Sequence, residues 1–383
     1  MNFEFAAPTR ILFGEGRVRE VGALAAGMGS RALVVEGSSG RAASLVESLH
    51  ARGIATTSLR VVGEPTADLV ECGVERARTE QCDLVIALGG GSVIDVGKAV
   101  AALLTNTDPL HDYLEVVGKG RPLTKRAAPF IPIPTTAGTG AEVTRNAVLM
   151  VEDARVKVSL RSALMLPAVA LIDPELSYTL PPAITASTGL DALTQCIEPF
   201  VTPHASPLTD AVSREGMRRA AGALRRAFRD GGDVEARRDM AIASLCGGLA
   251  LANAKLGAVH GFAAPLGGMF PIPHGNACAQ LLPRVVEVNL RALRARAPES
   301  PARARYGEVA QLLTGNAKAK AEDGVAWLYK LVSELAIPGL ATYGVAKADV
   351  PRIVEQARRS SSMQGNPITL TDEELSDALR IAI

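Results

Sequence analysis

Aromatic side chains are scarce in this 383-residue chain, at 4% of positions with a single tryptophan, and there are only five histidines. Neither charge is in excess, since 41 Lys and Arg stand against 40 Asp and Glu. A balance of +1 leaves no electrostatic footprint for a nucleic acid or an acidic membrane surface. No apolar run approaches the roughly 18 residues of a membrane span, and Met1–Asn2–Phe3–Glu4–Phe5 lacks the basic start and apolar stretch of a secretory signal. Cys72, Cys82, Cys196, Cys246 and Cys278 are odd in number, scattered and without a CxxC pair. They suit a reducing cytoplasm better than a disulfide frame or a zinc knuckle. Apolar residues are plentiful, at 48%. A chain of this length can fill the cores of about two domains. The expectation is a globular cytoplasmic protein with neither a nucleic-acid nor a membrane partner.

Two halves of different texture follow. Between about residues 30 and 175, β-branched runs alternate with helical patterns. Ala32–Val35, Leu59–Val62, Leu84–Leu88, Ile131–Pro134 and Ala168–Ile172 read as strands. Ala42–Ala51 reads as a helix stopped by Gly53, and another helix opens at Glu64–Pro65–Thr66 with Thr66 as cap. Continuous apolar runs are what parallel strands covered on both faces require. The order βαβα predicts a parallel sheet in a layered α/β domain over residues 1–180. Beyond Leu180–Pro181–Pro182 the strand runs stop, and residues 181–383 are expected to form an all-α domain. There Met217, Ala221, Leu224 and Phe228 share a helical stripe, while Arg218, Arg219, Arg225, Arg226 and Arg229 fall elsewhere on the wheel as a solvated face. Pro298–Pro301 reads as a surface loop.

Three stretches carry chemistry. Gly89–Gly90–Gly91–Ser92–Val93–Ile94–Asp95 lies after a strand and before a helix. Its glycines let a diphosphate approach the backbone, with helix N–H groups facing the anion. A tight βα turn needing glycine is the plainer reading. Pro134 to Thr144 is dense in hydroxyls and backbone donors. It can hold ribose and phosphate oxygens at the carboxyl edge of a parallel sheet, or it is a Thr-rich capping turn. In the third stretch Asp191 and Gln195 leave one helix face, and His260 and His274 sit in Gly/Pro-rich surroundings. One carboxylate and two imidazoles suit Zn²⁺ or Fe²⁺ with an open coordination position. Two locally hydrogen-bonded histidines are the alternative. Cys196 and Cys278 border these motifs and read as small core residues.

Taken in order, these stretches resemble the iron-containing (group III) alcohol dehydrogenases. The similarity begins at Thr9–Gly16 and runs through the GGGS and TTAGTGAEVT stretches, Lys157–Val158–Ser159 and Ile172–Asp173–Pro174. It continues through TGLDALT, the block from His260 to Pro283, and Ser361–Pro367. The resemblance implies a dehydroquinate synthase-like fold, with an N-terminal dinucleotide-binding domain, an all-helical C-terminal domain and a cleft between them. It implies nicotinamide binding by Gly90, Gly91, Ser92, Asp95, Thr135, Thr136, Thr139, Thr144 and Lys157. It also implies a divalent metal, Fe²⁺ or Zn²⁺, on Asp191, His260 and His274, which would be the catalytic set, with Gln195 in the fourth position. Family members assemble through their N-terminal domains, so a homodimer or higher homo-oligomer is expected.

The chain departs from the family pattern at two places. Where the usual helix reads DALTH, this one reads Asp191–Ala192–Leu193–Thr194–Gln195, offering an amide in place of an imidazole. The glycerol dehydrogenase branch is similar to a site with three good ligands, which suffice for a catalytic metal. Where many members read HGxAHPLG, position 264 is Ala264, so a proton-relaying histidine is missing. After Leu33–Glu36 come Gly37, Ser38, Ser39, Gly40 and Arg41, where NAD-preferring relatives tend to carry an aspartate near the Gly37 position. That favours NADP(H) over NAD(H).

The expected activity is hydride transfer between a nicotinamide and a metal-polarised small alcohol or aldehyde. Phe262, Met269, Phe270, Val148 and Met150 are expected to wall an apolar pocket. The alternatives are a metal-independent reductase of the same fold, similar to maleylacetate reductases, a metal-dependent lyase or synthase on the related scaffold, and a non-catalytic nucleotide-binding relative. Arg41→Ala is expected to raise KM for NADPH more than for NADH in steady-state assays. Equal changes in both would remove the argument for Arg41.

Overall fold

A computed structural model describes residues 2–38, 40–154 and 156–383. The chain divides into two compact units. The first comprises Ala6–Thr136 and Gly140–Ser177. The second takes the N-terminal segment through Phe5, the short stretch Ala137–Thr139, and Tyr178–Ile383.

Eight strands occur among the described residues, all in the first unit: β1 (Arg10–Phe13), β2 (Arg31–Glu36), β3 (Ala55–Arg60), β4 (Leu84–Gly89), β5 (Phe130–Pro134), β6 (Asn146–Val151), β7 (Val156–Arg161) and β8 (Val169–Ile172). The main sheet is parallel with order β3-β2-β4-β5. Strand β1 pairs parallel with β8, which lies next to β5. Every residue of β4, β5 and β8 is buried, which is why these strands are continuous apolar runs. Helices Ala43–His50, Ala67–Thr79 and Gly91–Thr105 connect successive strands. Thr66 caps the second of them, its hydroxyl accepting from Leu69 N at 3.2 Å.

Two elements differ from the sequence expectation. Strand β3 begins at Ala55, ahead of the Leu59–Val62 run. It is the edge strand, so Thr56, Thr57 and Ser58 are tolerated in it, while Val62 lies outside it and is exposed. The antiparallel hairpin β6–β7 was not anticipated. Its inward residues Ala147, Leu149, Val158 and Leu160 alternate with less buried ones, the period-two pattern of a sheet covered on one side. A search for unbroken apolar runs passes over such a hairpin.

The chain makes β2, steps outward to β3, and returns to lay β4 on the other flank of β2. Ligands of open α/β sheets bind outside the carboxyl ends of the strands at such a reversal. The register pairs Glu36 with Leu88 and Gly89 with Pro134. Gly37–Ser38, Gly90–Ser92 and Thr135–Thr136 therefore all leave from one edge. Asp173 fastens the opening segment to this unit: its carboxylate accepts from Gly16 N at 3.1 Å, Val18 N at 3.0 Å and Glu175 N at 3.1 Å. The two short motifs around Gly16 and Asp173 are thus partners in space.

A buried cation holds the loop that follows β5. Lys98, fully buried on the Gly91–Thr105 helix, donates to Ala141 O and Thr144 Oγ1 at 2.7 Å each and to Asn146 O at 2.8 Å. Three acceptors match the three protons of an ammonium. Burial pulls Lys98 down to about 8, with the nearby carboxylates of Asp95 and Glu142 opposing that fall. Burial pushes Glu142 up to about 7 against the pull of its own backbone N–H and of Lys98.

The second unit contains nine α-helices among the described residues, from Pro182–Val201 to Asp372–Ala382. Pro182–Val201 runs through its core with most of its residues buried. Four arginines of the Pro207–Arg229 helix are tied within the unit: Arg218 and Arg219 to Glu215, Arg225 to Glu334, and Arg226 to Asp233 and Glu235. Arg225 also lies over the Trp327 ring, 4.5 Å from its centroid. No single helix among the described residues is long and apolar enough to cross a membrane.

Glu142 gives the first unit a pH-dependent stability. Its ordinary value is 4.5 and its folded value about 7, so between them the folded chain keeps a proton that the unfolded chain has lost. That contribution is complete below about 4.5 and is lost as pH rises through about 7. Urea titrations from pH 4.5 to 7.5 should show this fall, and Glu142→Gln should flatten it. An unchanged slope in the variant would exclude Glu142 as the source.

Candidate functional site

Asp191 lies mid-way along the buried Pro182–Val201 helix, with Gln195 one turn on and Glu198 one turn further. Spacings of four and three keep all three on one stripe. The three are 2%, 2% and 5% exposed, an expensive line of ionisable and amide groups on a mostly buried helix. The other members come from the helices Ala258–Met269 and His274–Arg296. His274 is the first residue of its helix, placed there by Pro273, and Cys278 follows one turn later on the same face. Gly275 makes the approach possible: a Cβ there would lie 2.3 Å from Ser187 O, so only glycine lets the two backbones come this close.

The donor atoms converge. Asp191 Oδ1 lies 3.4 Å from His260 Nε2 and 3.6 Å from His274 Nε2. Cys278 Sγ lies 3.8 Å from His260 Nε2 and 3.6 Å from His274 Nε2. One donor atom from each of the four residues falls within 4.8 Å of all the others. Asp191 Oδ1 is buried and has no hydrogen-bond partner. An unpaired carboxylate oxygen out of water costs several kcal/mol unless a cation meets it, so the donor set fits a divalent metal.

Neighbouring side chains aim these donors. Glu198 Oε2 lies 2.6 Å from His260 Nδ1, and Glu198 Oε1 accepts from Val259 N at 2.7 Å. In the neutral imidazole this carboxylate favours the proton on Nδ1, which would free Nε2 for a cation. A Cβ at position 257 would sit 2.7 Å from Glu198 Oε1, which accounts for Gly257. Asn366, from the Ser361–Pro367 stretch, caps the same helix by accepting from Ala258 N at 3.2 Å, and it bonds to Asn289. Gln195 Nε2 donates to Asp191 Oδ2 at 2.9 Å, while its own Oε1 is buried without a partner.

Charge within the cluster is mutually dependent. Burial pushes Asp191 up, but His274 and His260 outweigh it, and its carboxyl lies below the ordinary range. Burial likewise opposes ionisation of Cys278, yet His274 and His260 hold its thiol below the ordinary value. Burial pulls both imidazoles down, and Cys278 and Asp191 more than reverse that, most strongly at His260. Each anion is stabilised by neighbouring positive charge, which is the electrostatic demand a bound cation meets.

Of the residues expected at the nucleotide, Gly90, Gly91, Ser92, Thr135 and Thr136 follow the carboxyl ends of β4 and β5, whereas Asp95 lies within the next helix, Lys157 on β7, Thr144 after the Ala141–Val143 turn, and Thr139 in the helical unit. Gly90 precedes the Gly91–Thr105 helix and gives its N-terminus no side-chain cap, leaving first-turn N–H groups for an anion. A Cβ on Gly89 would lie 2.5 Å from Val93, and one on Gly90 would lie 3.6 Å from Thr136. Thr135 N donates to Gly89 O at 2.9 Å, joining the two loops. Three expected residues have structural partners: Asp95 accepts from Val148 N at 3.1 Å, Thr144 is held by Lys98, and Lys157 Nζ pairs with Glu64 at 2.8 Å. Arg41 Nη1 donates to Leu176 O at 2.6 Å. Gly37 and Ser38 follow β2, and Ser39 lies outside the described residues.

Two sequence readings are corrected. Cys278 is fully buried, but it faces both imidazoles and is more than a packing residue. Phe262 is fully buried in the helical core and is no pocket wall. Glu198 was missed. Its signal was available as a third polar residue, seven after Asp191, on one stripe of an apolar helix.

Comparison with known proteins gives a consistent set of relatives. A family model described as iron-containing alcohol dehydrogenase matches residues 8–174. A second, described as the C-terminal part of the Fe-containing alcohol dehydrogenase family, matches residues 185–383. Choline dehydrogenase of Bacillus subtilis (strain 168) is 36% identical over 377 residues, 96% of this chain and 92% of the relative. The 1,3-propanediol dehydrogenase of Klebsiella pneumoniae is 37% identical over 319 residues, 82% of this chain and 79% of the relative. The crystal structure of a 1,3-propanediol oxidoreductase superposes with a TM-score of 0.92 at 33% identity, covering 100% of both chains.

Removal of the Glu198 carboxylate in Glu198→Ala should weaken zinc binding by about 10–100-fold, the usual cost of losing an outer partner of a metal-binding histidine. Competition with a chromophoric chelator measures this. Unaltered zinc affinity would mean that Glu198 does not orient His260.

Proposed function

The chain belongs to the iron-containing alcohol dehydrogenase family, and from that premise we propose an NAD(P)(H)-dependent alcohol dehydrogenase or aldehyde reductase whose divalent metal is held by Asp191, His260 and His274. It is an oxidoreductase acting on alcohols. The observation that carries the metal assignment is the buried, unpartnered Asp191 Oδ1 facing two imidazole nitrogens. When bound, the cation supplies a Lewis acid for the substrate oxygen, and the nicotinamide supplies or accepts the hydride.

The protein's own groups prepare that chemistry. Glu198 holds the proton at His260 Nδ1, and Gln195 holds Asp191 through Oδ2, so Nε2 and Oδ1 remain free to act. The glycine turn and the helix N-terminus after it bind the cofactor diphosphate. Ala264 offers no proton, so proton exchange with the substrate falls to ribose hydroxyls or water. NADP(H) is preferred over NAD(H), because Gly37 and Ser38 bring no carboxylate against a 2′-phosphate. Arg41, bonded to Leu176 O, stands ready to exchange that carbonyl for the phosphate. The relatives named for choline and 1,3-propanediol support a small alcohol or aldehyde as substrate. Five free cysteines support a reducing cytoplasm, and the family's habit supports a homo-oligomer.

A second reading, a reductase of this fold working without metal, is favoured by Gln195 and Ala264. The test is nicotinamide oxidation over aldehydes, ketones and 2-oxo acids, before and after chelation, with Zn²⁺ or Fe²⁺ added back. His260→Ala and His274→Ala are each expected to lower kcat by at least about a hundredfold while leaving NADPH binding by fluorescence titration unchanged. Full activity in either variant, or after chelation, would replace the metal-dependent reading with the metal-free one.

A further inference from the structure

Once Asp191, His260 and His274 are taken as a metal site, a three-donor set leaves open what faces the cation from the fourth direction. The family pattern places a histidine at position 195, and this chain has Gln195 there. The Gln195 amide is turned so that its nitrogen donates to Asp191 Oδ2, a supporting contact. On the His274–Arg296 helix a different donor is available. Cys278 is one turn beyond His274, fully buried, with its sulfur 3.6 Å from His274 Nε2 and 3.8 Å from His260 Nε2.

These separations have a simple meaning. Four donors around one tetrahedral cation, with bonds of about 2.0–2.1 Å to nitrogen or oxygen and about 2.3 Å to sulfur, stand roughly 3.3 Å apart for N/O pairs and roughly 3.6 Å apart for N/S pairs. Four of the six edges are 3.4 and 3.6 Å for O/N and 3.6 and 3.8 Å for S/N, and the N/N and O/S edges are within 4.8 Å. Each of those four lies within about 0.3 Å of that figure. Asp191 Oδ1, one vertex of that set, is buried and lacks any hydrogen-bond partner.

We propose that the Cys278 thiolate is the fourth protein ligand, so that this chain holds its metal on one carboxylate, two imidazoles and one sulfur, with Gln195 as a positioning residue for Asp191. This rests on the metal-dependent reading above. Thiolate is a soft donor, and its presence tilts a site from Fe²⁺ toward Zn²⁺ and Co²⁺. Asp191, His260, His274 and Cys278 would then hold the cation, which would supply a Lewis acid for the substrate oxygen.

The test uses the 383-residue chain stripped of metal and titrated with Co²⁺. Visible ligand-field bands report cobalt in a low-coordinate site, and a near-ultraviolet thiolate-to-cobalt charge-transfer band reports sulfur ligation. The expected result is both sets in the native protein. Cys278→Ser should lose the charge-transfer band but keep the visible bands. Its zinc affinity should fall at least about tenfold, while its preference for Zn²⁺ over Fe²⁺ narrows. Gln195→Ala should keep the charge-transfer band. Visible bands without charge transfer in the native protein would overturn sulfur ligation and leave the metal site standing. Absence of any stoichiometric cobalt spectrum would overturn the metal site itself. X-ray absorption of the native protein with one equivalent of Zn²⁺ reads the same point without a variant. A sulfur scatterer near 2.3 Å is expected, and a shell of nitrogen and oxygen alone would refute the proposal.

Discussion

A carboxylate oxygen with nothing to bond to, deep inside a helical core, is the constraint around which this protein is arranged. Asp191 Oδ1 is buried and unpartnered, with imidazole nitrogens of His260 and His274 at 3.4 and 3.6 Å. In an apolar interior such a group is tolerated only if positive charge is near. The directions of ionisation in the cluster agree, with Asp191 and Cys278 favoured as anions and both histidines as cations. A divalent ion would supply that positive charge to the two anions, and it would take the imidazoles in their neutral form in place of their protons.

Holding four donors within a few ångströms requires backbones to approach closely, and small residues allow it. Gly275 lets its helix meet Ser187 O, and Gly257 leaves room for Glu198 beside the His260 helix. The same Glu198 bonds both the His260 ring and the N-terminus that carries it, so position and tautomer are set together. Asn366 and Asn289 extend this support through buried hydrogen bonds. Glu198 and Asn366 thus hold the same helix N-terminus, and Asn366 is in turn bonded to Asn289.

In the α/β unit the equivalent device is Lys98. Its ammonium gathers two backbone carbonyls and the Thr144 hydroxyl, fixing the loop after β5 to the helix that follows the glycine turn. Loops at a sheet's carboxyl edge are usually its most variable part. Here one is anchored by a cation that never reaches solvent. Thr144 therefore positions the loop, and Asp95, which accepts from Val148 N, ties in the hairpin.

How much of this was legible depends on whether the information was local. Apolar runs, glycine turns and helical spacing announce themselves along the chain. From them follow the buried parallel strands, the cap at Thr66, the anion-ready turn at Gly89–Ser92 and the all-helical second half. The motif order was enough to identify the family, and it singled out Asp191, His260 and His274, whose donor atoms the fold brings within 4.8 Å of one another. Strand β3 and the β6–β7 hairpin were less legible, because an edge strand and a one-sided hairpin do not need unbroken apolar runs. Partnership across distant sequence was not legible at all. Tertiary structure alone shows that Glu198 aims His260, that Lys98 claims Thr144, and that Cys278 faces both imidazoles. A side chain's neighbours from other helices are decided by how those helices pack, and no periodicity within one segment encodes that.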